Sequence, residues 1–567
     1  MINVISSIFA ILITFLYYLL FRPIFNSSSN LNSNIKIFNL FLQNPELFFK
    51  IKISFLILSF FVSFILFKKI YSFFKVSSNE ESQADKDGFS LLVGKSLSGE
   101  KVYIPEKSLY QNILIIGSIG CGKTSSAMYP FTRQLLSMKQ KPGFLILDVK
   151  GNYYSQVINF TNDCFRANDL IVIELNGKYK YNPLDKPFLS SSIIANRLKS
   201  ILLLFSPNNS ESYWLDVAEQ VIESSITIIR AYNKNFVNFI ELHKIIIDQD
   251  YFSSKLKKIR DAFILNSFSK SEIYNISNAI SYLKNNYYSL DSRTFNILKS
   301  DITRITNPFI SDYEVRQTFC PAKEDENFYG FDEVIKDGKI VVLNMNIAKY
   351  RNVSKIIAAY LKLDFQTDVL KQLSDKKDII RPMCFISDEY QEYVTSNDAE
   401  FYAQSRESRC INIVATQSYT SLLNTLNNQN AVKVIVQNLV NKLWFRCDDI
   451  FTIEDIQKQI GKEEKTKTST TYSENAKHSD YNFFTKSFVS IDSNLSESIN
   501  SYSQFEFIYD YNFFTQNLET FSCVGFLSDG SKIMKPQKLS MIPYFKWKEV
   551  DFWKSKNFYF SFLLFYS

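Results

Sequence analysis

The chain has 567 residues, 46% hydrophobic and 21% charged. It is too long for a single core and too apolar for a disordered chain, and about three or four folding units are expected. Its 64 basic and 57 acidic residues leave a net charge of +7, which permits a nucleic-acid partner without arguing for one, because no long Lys/Arg block stands out. Seven cysteines are scattered with no CxxC pair, and there are only two histidines, His243 and His478. This argues against a zinc site or a Ser-His-Asp triad and places the main body in a reducing compartment.

Residues Ile2 to Phe21 are twenty consecutive uncharged residues, enough for a helix to span the ~30 Å hydrocarbon core. Arg22 and Pro23 end the run. A second run, Ile53 to Phe67, lies between Lys52 and Lys68, whose side chains can reach the interfaces. The first run lacks the basic start and small-residue cleavage site of a signal peptide. Together the two runs read as a transmembrane hairpin over 1–75. Nucleotide chemistry in the part that follows puts that part, and the N-terminus, on the cytoplasmic side, with the 25–50 loop outside. The polar segment 76–88 reads as a linker.

"NILIIG" reads as a buried strand, and Gly117, Gly122, Lys123 and Thr124 then fit G-x-x-x-x-G-K-[ST]. The cradle comprises Gly117, Ser118, Ile119, Gly120, Cys121, Gly122, Lys123, Thr124 and Ser125. "TSSAMYPFTRQLL" can start the helix that this motif needs. Glycines let backbone N–H groups face phosphate oxygens, and the helix N-terminus adds its dipole. Lys123 is expected to neutralise β/γ-phosphate charge, and the Thr124 hydroxyl to reach Mg²⁺. "GFLILDVK" and "DLIVIEL" are further buried strands.

Three segments then carry helical apolar spacing, "SSSIIANRLKSILLLF", "DVAEQVIESSITIIRAY" and "SEIYNISNAISYLKNNY", in a region without convincing strands. Strands resume with "KIVVLNMN" and with Met383 to Ser387, which Asp388 and Glu389 follow directly. Asp388 is expected to hold the Mg²⁺ shell and Glu389 to polarise the attacking water. "INIVATQ" ends at Gln417, placed to sense a γ-phosphate. Arg406, upstream of that strand, suits an arginine finger acting on the next subunit, with Arg409 as its rival. "NKLWFRC" completes the strands of an α/β, RecA-like P-loop NTPase core. Beyond it, the polar stretch Lys458 to Lys486 is expected to be mobile. "FSCVGFLSDGSKIMKPQKL" reads as a hairpin turning at Asp529–Gly530, and the aromatic tail from Tyr544 reads as packing.

These stretches together resemble the TraG/TraD-type coupling ATPases of conjugation and type IV secretion. "LILDVKGNYY" is similar to that family's D-P-K-G-E type motif at Asp148, Lys150 and Gly151. "YKYNPLD" is similar to its N-P-L stretch at Asn182, Pro183 and Leu184, and "SYWLDVAEQVI" to its Trp-bearing helix at Trp214. "GFDEVIKDGKIVVLNM" and "NLVNKLWFRCDD" have counterparts too, so the likeness covers most of 90–465. Val149 and Asn152 depart from the motif's Pro and Glu, and Ser387 stands where an apolar residue is common.

The resemblance implies a RecA-like motor over 89–188 and 321–450, an all-α insertion over 189–320 that recognises substrate, an N-terminal two-helix transmembrane anchor, and a C-terminal extension, 451–567, that closes the motor. It implies ATP and Mg²⁺ as cofactors, a homo-hexamer, and a multi-pass place in the cytoplasmic membrane with most of the chain in the cytoplasm. The implied partners are the lipid bilayer, the secretion channel's inner-membrane components, single-stranded DNA, and relaxase–DNA complexes or protein substrates. An FtsK-like DNA pump is the rival, and no C-terminal winged helix is visible for it. A receptor with little turnover fits poorly with a complete Lys123, Asp388 and Glu389. A small-molecule kinase explains neither the anchor nor the helical insertion.

Overall fold

A computed structural model describes residues 88–547 apart from 149–150, 152, 206–211, 265–267, 375–379, 477–478 and 491–492, together with residues 50, 53 and 54. The expected transmembrane hairpin and linker, apart from residues 50, 53, 54 and 88, and the aromatic tail beyond 547 lie outside the described residues. Among the described residues no helix is long and apolar enough to cross a membrane. The chain divides into two compact units, Met1–Phe89 and Ser90–Ser567.

In chain order the main strands of the second unit are β1 (Ser90–Ser96), β2 (Lys101–Pro105), β3 (Ile113–Ile116), β4 (Gly143–Leu147), β5 (Leu170–Ile173), β6 (Ile340–Leu343), β7 (Met383–Ser387), β8 (Cys410–Thr416) and β9 (Asn441–Phe445). After these come β10 (Lys462–Ala476), β11 (Ser479–Asn482), β12 (Ser487–Ser490), β13 (Ser493–Phe507), β14 (Ser522–Phe526) and β15 (Gln537–Ser540). An 11-stranded sheet has the order β2-β1-β15-β14-β9-β3-β8-β7-β4-β6-β5. From β9 to β5 neighbouring strands are parallel. Every residue of β3, β4, β6, β7, β8 and β9 is buried. Burial on both faces is why these strands read as unbroken apolar runs and not as alternating ones. The C-terminal hairpin β14–β15 joins antiparallel to β9, and the N-terminal hairpin β1–β2 pairs antiparallel with β15. The strands legible in the sequence do not include β1 and β2, which are short and whose burial alternates over only a few residues.

Between β5 and β6 the described residues hold helices and no strand of the sheet, among them Ser191–Leu203, Ser212–Tyr232, Phe239–Ile247, Gln249–Ile264, Lys270–Tyr282 and Ser292–Thr306. Their starts carry local signals. Ser190 and Asn238 cap with side-chain oxygens, and Ser269 with Glu272 forms a capping box. The N-P-L stretch fastens this helical part to the sheet domain. Asn182 donates from its side chain to the Val237 carbonyl (2.9 Å) and from its backbone to Glu326 Oε1 (3.1 Å), and its Oδ1 accepts from the Leu184 N–H (3.1 Å). Beside it the buried Asp364 accepts from Tyr181 and is paired with Lys186 (2.7 Å) and Arg197. Burial raises the Asp364 pKa, but the two cations outweigh this and hold it below the usual carboxylate range.

The stretch Lys458 to Lys486, expected to be mobile, carries regular secondary structure among its described residues. The helix Ile450–Ile460 takes its first residues. β10 then pairs with β13 in one uninterrupted antiparallel register, from Lys462↔Phe507 to Ala476↔Ser493, and β11 pairs with β12 beyond it. The described side chains of the ribbon are mostly exposed, so neither strand shows the apolar alternation that marks a half-buried strand. The partner of Lys462 is Phe507, too far along the chain for a local reading to find.

Candidate nucleotide-binding site

The segment after β3 leaves Ile116, curls through Gly117–Lys123 and enters a single π-helical turn, Thr124–Met128, that leads into the helix Tyr129–Leu136. Two glycines are demanded by close approach. A Cβ on Gly117 would lie 2.6 Å from Phe445 Cβ, and one on Gly122, at φ 95°, would lie 2.5 Å from the Phe521 ring. The loop is clamped from outside. The Ser118 N–H donates to the Arg446 carbonyl (2.8 Å), the Ser118 hydroxyl to Asp448 (2.7 Å), and the Phe521 N–H to the Cys121 carbonyl (3.1 Å). Ile119 is exposed and Cys121 buried. Gly120 has φ 79°, and the Ser125 hydroxyl donates to the Gly122 carbonyl (3.2 Å). Lys123 folds back over its own loop and donates to the carbonyls of Gly117 and Ser118.

The P-loop strand and the acidic strand are not neighbours, because β8 lies between β3 and β7. The gap brings four sequence-read residues together in two pairs. Thr124 Oγ1 donates to Asp388 Oδ2 at 2.9 Å, so the two expected Mg²⁺ ligands meet. Gln417, just past β8, donates to Glu389 Oε2 at 3.1 Å. Gln391, a residue the sequence reading passed over, donates to the same oxygen at 2.7 Å and accepts from Thr416 at 2.9 Å. A hydroxyl beside a carboxylate is a set of hard oxygen donors, suited to Mg²⁺ completed by water and phosphate. Among the described residues no group of three or more His, Cys, Asp or Glu could hold a metal by itself. The glycine cradle and this donor pair together fit a Mg²⁺–nucleoside triphosphate.

Glu389 sits in the left-handed region, φ 50° and ψ 49°, which costs about 1–3 kcal/mol for a non-glycine residue unless its surroundings fix it. The segment after it does so. Asp398 accepts from Tyr390, from the Thr395 N–H (3.1 Å), from Gln366 (2.9 Å) and from Lys362 (2.6 Å). Lys362 also donates to the Tyr393 carbonyl (2.7 Å), and the Tyr393 hydroxyl donates to the Asp388 carbonyl (3.0 Å). Both members of the ion pair are fully buried. Burial pulls the Lys362 pKa down against the opposing pull of Asp398. Asp398→Ala strands a buried ammonium and is expected to cost about 3–5 kcal/mol, whereas a Lys362→Met, Asp398→Leu double variant should recover most of it. Thermal unfolding checks this, and a single-variant loss under about 1 kcal/mol would contradict it.

Arg406 and Arg409 are separated by the structure. Arg409 donates to Glu106 (2.9 Å), Tyr110 and the Ile380 carbonyl, and is spent on the fold. Arg406 is exposed and has no side-chain hydrogen bond or ion pair among the described residues. It precedes the 7-residue β8, whereas Gln417 follows it, so roughly 23 Å of strand divides Arg406 from its own chain's site. Asp148, at the end of β4, is buried and accepts from the Tyr153 N–H (2.9 Å). Lys150 and Asn152 lie outside the described residues. Asp448 and Phe521 touch the loop without any local signal that could have found them.

Residues 382–501 match the family model described as the TraM recognition site of TraD and TraG. No curated protein sequence matches the chain. The fold is similar to that of the plasmid coupling protein TrwB in complex with the non-hydrolysable ATP analogue ADPNP (TM-score 0.52, 10% identity, 80% of this chain and 89% of that one). It is equally similar to TrwB in complex with ADP and Mg²⁺ (0.52, 10%, 80% and 89%). The bacterial conjugative coupling protein TrwBdeltaN70 in its unbound form gives 0.50, at 11% identity over 79% and 88%. The resemblance to TraG/TraD-type coupling proteins thus stands on the family match from β7 into the ribbon and on the shared RecA-like fold.

Proposed function

We propose that this chain, like the TraG/TraD-type coupling proteins it resembles, is a membrane-anchored ATPase that drives relaxase–DNA complexes or protein substrates into a conjugation or type IV secretion channel. The observation that carries the reading is the meeting of Thr124 with Asp388, and of Gln417 with Glu389, across the gap made by β8. Backbone N–H groups from Gly117 to Ser125 would cradle the phosphates. Lys123 would neutralise their charge, and Thr124 and Asp388 would hold Mg²⁺. Bound Mg²⁺–ATP supplies the transferable phosphoryl group. Glu389 takes the proton of the attacking water, Gln417 orients that water, and Arg406 serves a neighbour's site in a homo-hexamer. The helices between β5 and β6 receive the substrate, single-stranded DNA passes the motor, and the 1–75 hairpin holds the assembly to the cytoplasmic membrane beside the channel.

ATP hydrolysis by the full chain in detergent, with Mg²⁺, measured with and without single-stranded DNA, tests the reading. DNA-stimulated hydrolysis is expected, and none under either condition would overturn it. Glu389→Gln keeps the shape of the side chain and removes the base. It is expected to bind ATP as the wild type does and to turn it over about 10²–10⁴-fold more slowly. Loss of ATP binding in a folded variant would instead make Glu389 part of the ligand shell.

A further inference from the structure

The sheet order decides on which side of the phosphate loop the rest of a nucleotide must lie. β3 carries the loop. β8 and β7, with Gln417, Asp388 and Glu389, stand on one side of it, and β9, β14 and β15 on the other. A terminal phosphate facing Glu389 sends the nucleoside toward β14 and β15.

That flank carries aromatic rings. Phe521 stands just before β14 in the left-handed region, φ 67°. Its N–H is bonded to the Cys121 carbonyl, its carbonyl accepts from the Met541 N–H (2.7 Å), and its ring lies against Gly122. The segment after β15 brings Phe545 edge-on to Phe521, with ring centroids 6.0 Å apart, and Tyr544 next to Phe545 at 5.6 Å. Tyr544 is itself held edge-on by Tyr129, 5.2 Å away, on the first turn of the helix after the loop. Phe545 is nonetheless 59% exposed. Two backbone hydrogen bonds hold Phe521 in that conformation, and the exposed ring of Phe545 stands one ring away from the phosphate loop.

We propose that the exposed ring of Phe545 is the platform on which the base of the bound nucleoside triphosphate stacks, with Phe521 edge-on to it beside the loop and Tyr544 buttressing it. The proposal rests on the ATPase reading and adds to it the residues that hold the base. Stacking on an aromatic face buries the exposed ring of Phe545 and adds dispersion with the base. The C-terminal extension then contributes directly to nucleotide affinity.

The test compares the dissociation constants of Mg²⁺–ATP and of inorganic tripolyphosphate, which has the phosphates and no base, for the full chain in detergent. Phe545→Ala changes an exposed side chain, so folding should survive. It is expected to weaken ATP by roughly 5-fold to roughly 150-fold, the span of base–aromatic stacking, and to leave tripolyphosphate unchanged. Phe545→Trp should retain wild-type ATP affinity. Unaltered ATP affinity in Phe545→Ala, or equal weakening of tripolyphosphate, overturns the platform. A wild type that binds neither ligand defeats the ATPase reading itself, and the platform falls with it. ATP binding that is intact and indifferent to Phe545 defeats the platform alone.

Discussion

Lys123→Ala is expected to abolish measurable ATP hydrolysis while leaving the chain folded. The ammonium bonds only the carbonyls of Gly117 and Ser118, within its own loop. Removing it costs about 1–3 kcal/mol at most, a loss the remaining clamps can absorb, since Ser118 stays bonded to Arg446 and Asp448 and Cys121 to Phe521. What disappears is the cation proposed to meet the β/γ-phosphate charge. No second cation replaces it within the loop, where Thr124 and Ser125 offer only hydroxyls and backbone N–H groups. Steady-state phosphate release, beside a thermal unfolding curve, checks both halves. Wild-type hydrolysis by the variant would remove Lys123 from the machinery, and a collapsed melting curve would show that its contacts support the fold.

Arg406→Ala is expected to assemble and bind ATP but lose about 10³–10⁵-fold in turnover, the range of trans-acting arginines. Arg406 is exposed, without a side-chain hydrogen bond or ion pair among the described residues, and at the opposite end of β8 from Gln417. A guanidinium so placed cannot serve its own site, but it is free to reach a neighbour. Arg409, bonded to Glu106 and Tyr110, is not. Mixing Arg406→Ala chains with an excess of Lys123→Ala chains sharpens the test. The first retain a complete loop, and the second retain the arginine. Partial recovery of hydrolysis in mixed rings is the expected result. No recovery, with mixing shown by native mass, would place the action of Arg406 elsewhere.

The parts legible in the sequence are those whose chemistry lies within one short stretch. G-x-x-x-x-G-K-[ST] is read from consecutive residues because the loop is one backbone curl. Asp388 and Glu389 are read because they follow an apolar run, and β3, β4, β6, β7, β8 and β9 because burial on both faces makes each a continuous run. The same locality explains the failures. β10 and β13 pair through polar residues that leave no alternation, and the short hairpin β1–β2 is placed in the sheet only by β15, near the other end of the chain, which pairs with β1.

Residue type and spacing thus determined the phosphate loop, the acidic pair and the α/β character of this chain. Tertiary structure alone decided what those groups do together. The insertion of β8 between β3 and β7 sets Gln417 against Glu389, and the buried Lys362–Asp398 pair holds Glu389 in a strained backbone. The fold of β14 and β15 beside β9 brings Phe521 to Gly122. Glu106 and Tyr110, on the segment after β2, tie Arg409 down, while Arg406 stands in solvent. Each of these depends on chain segments far apart in sequence, and such contacts exist only after the sheet has closed around its core.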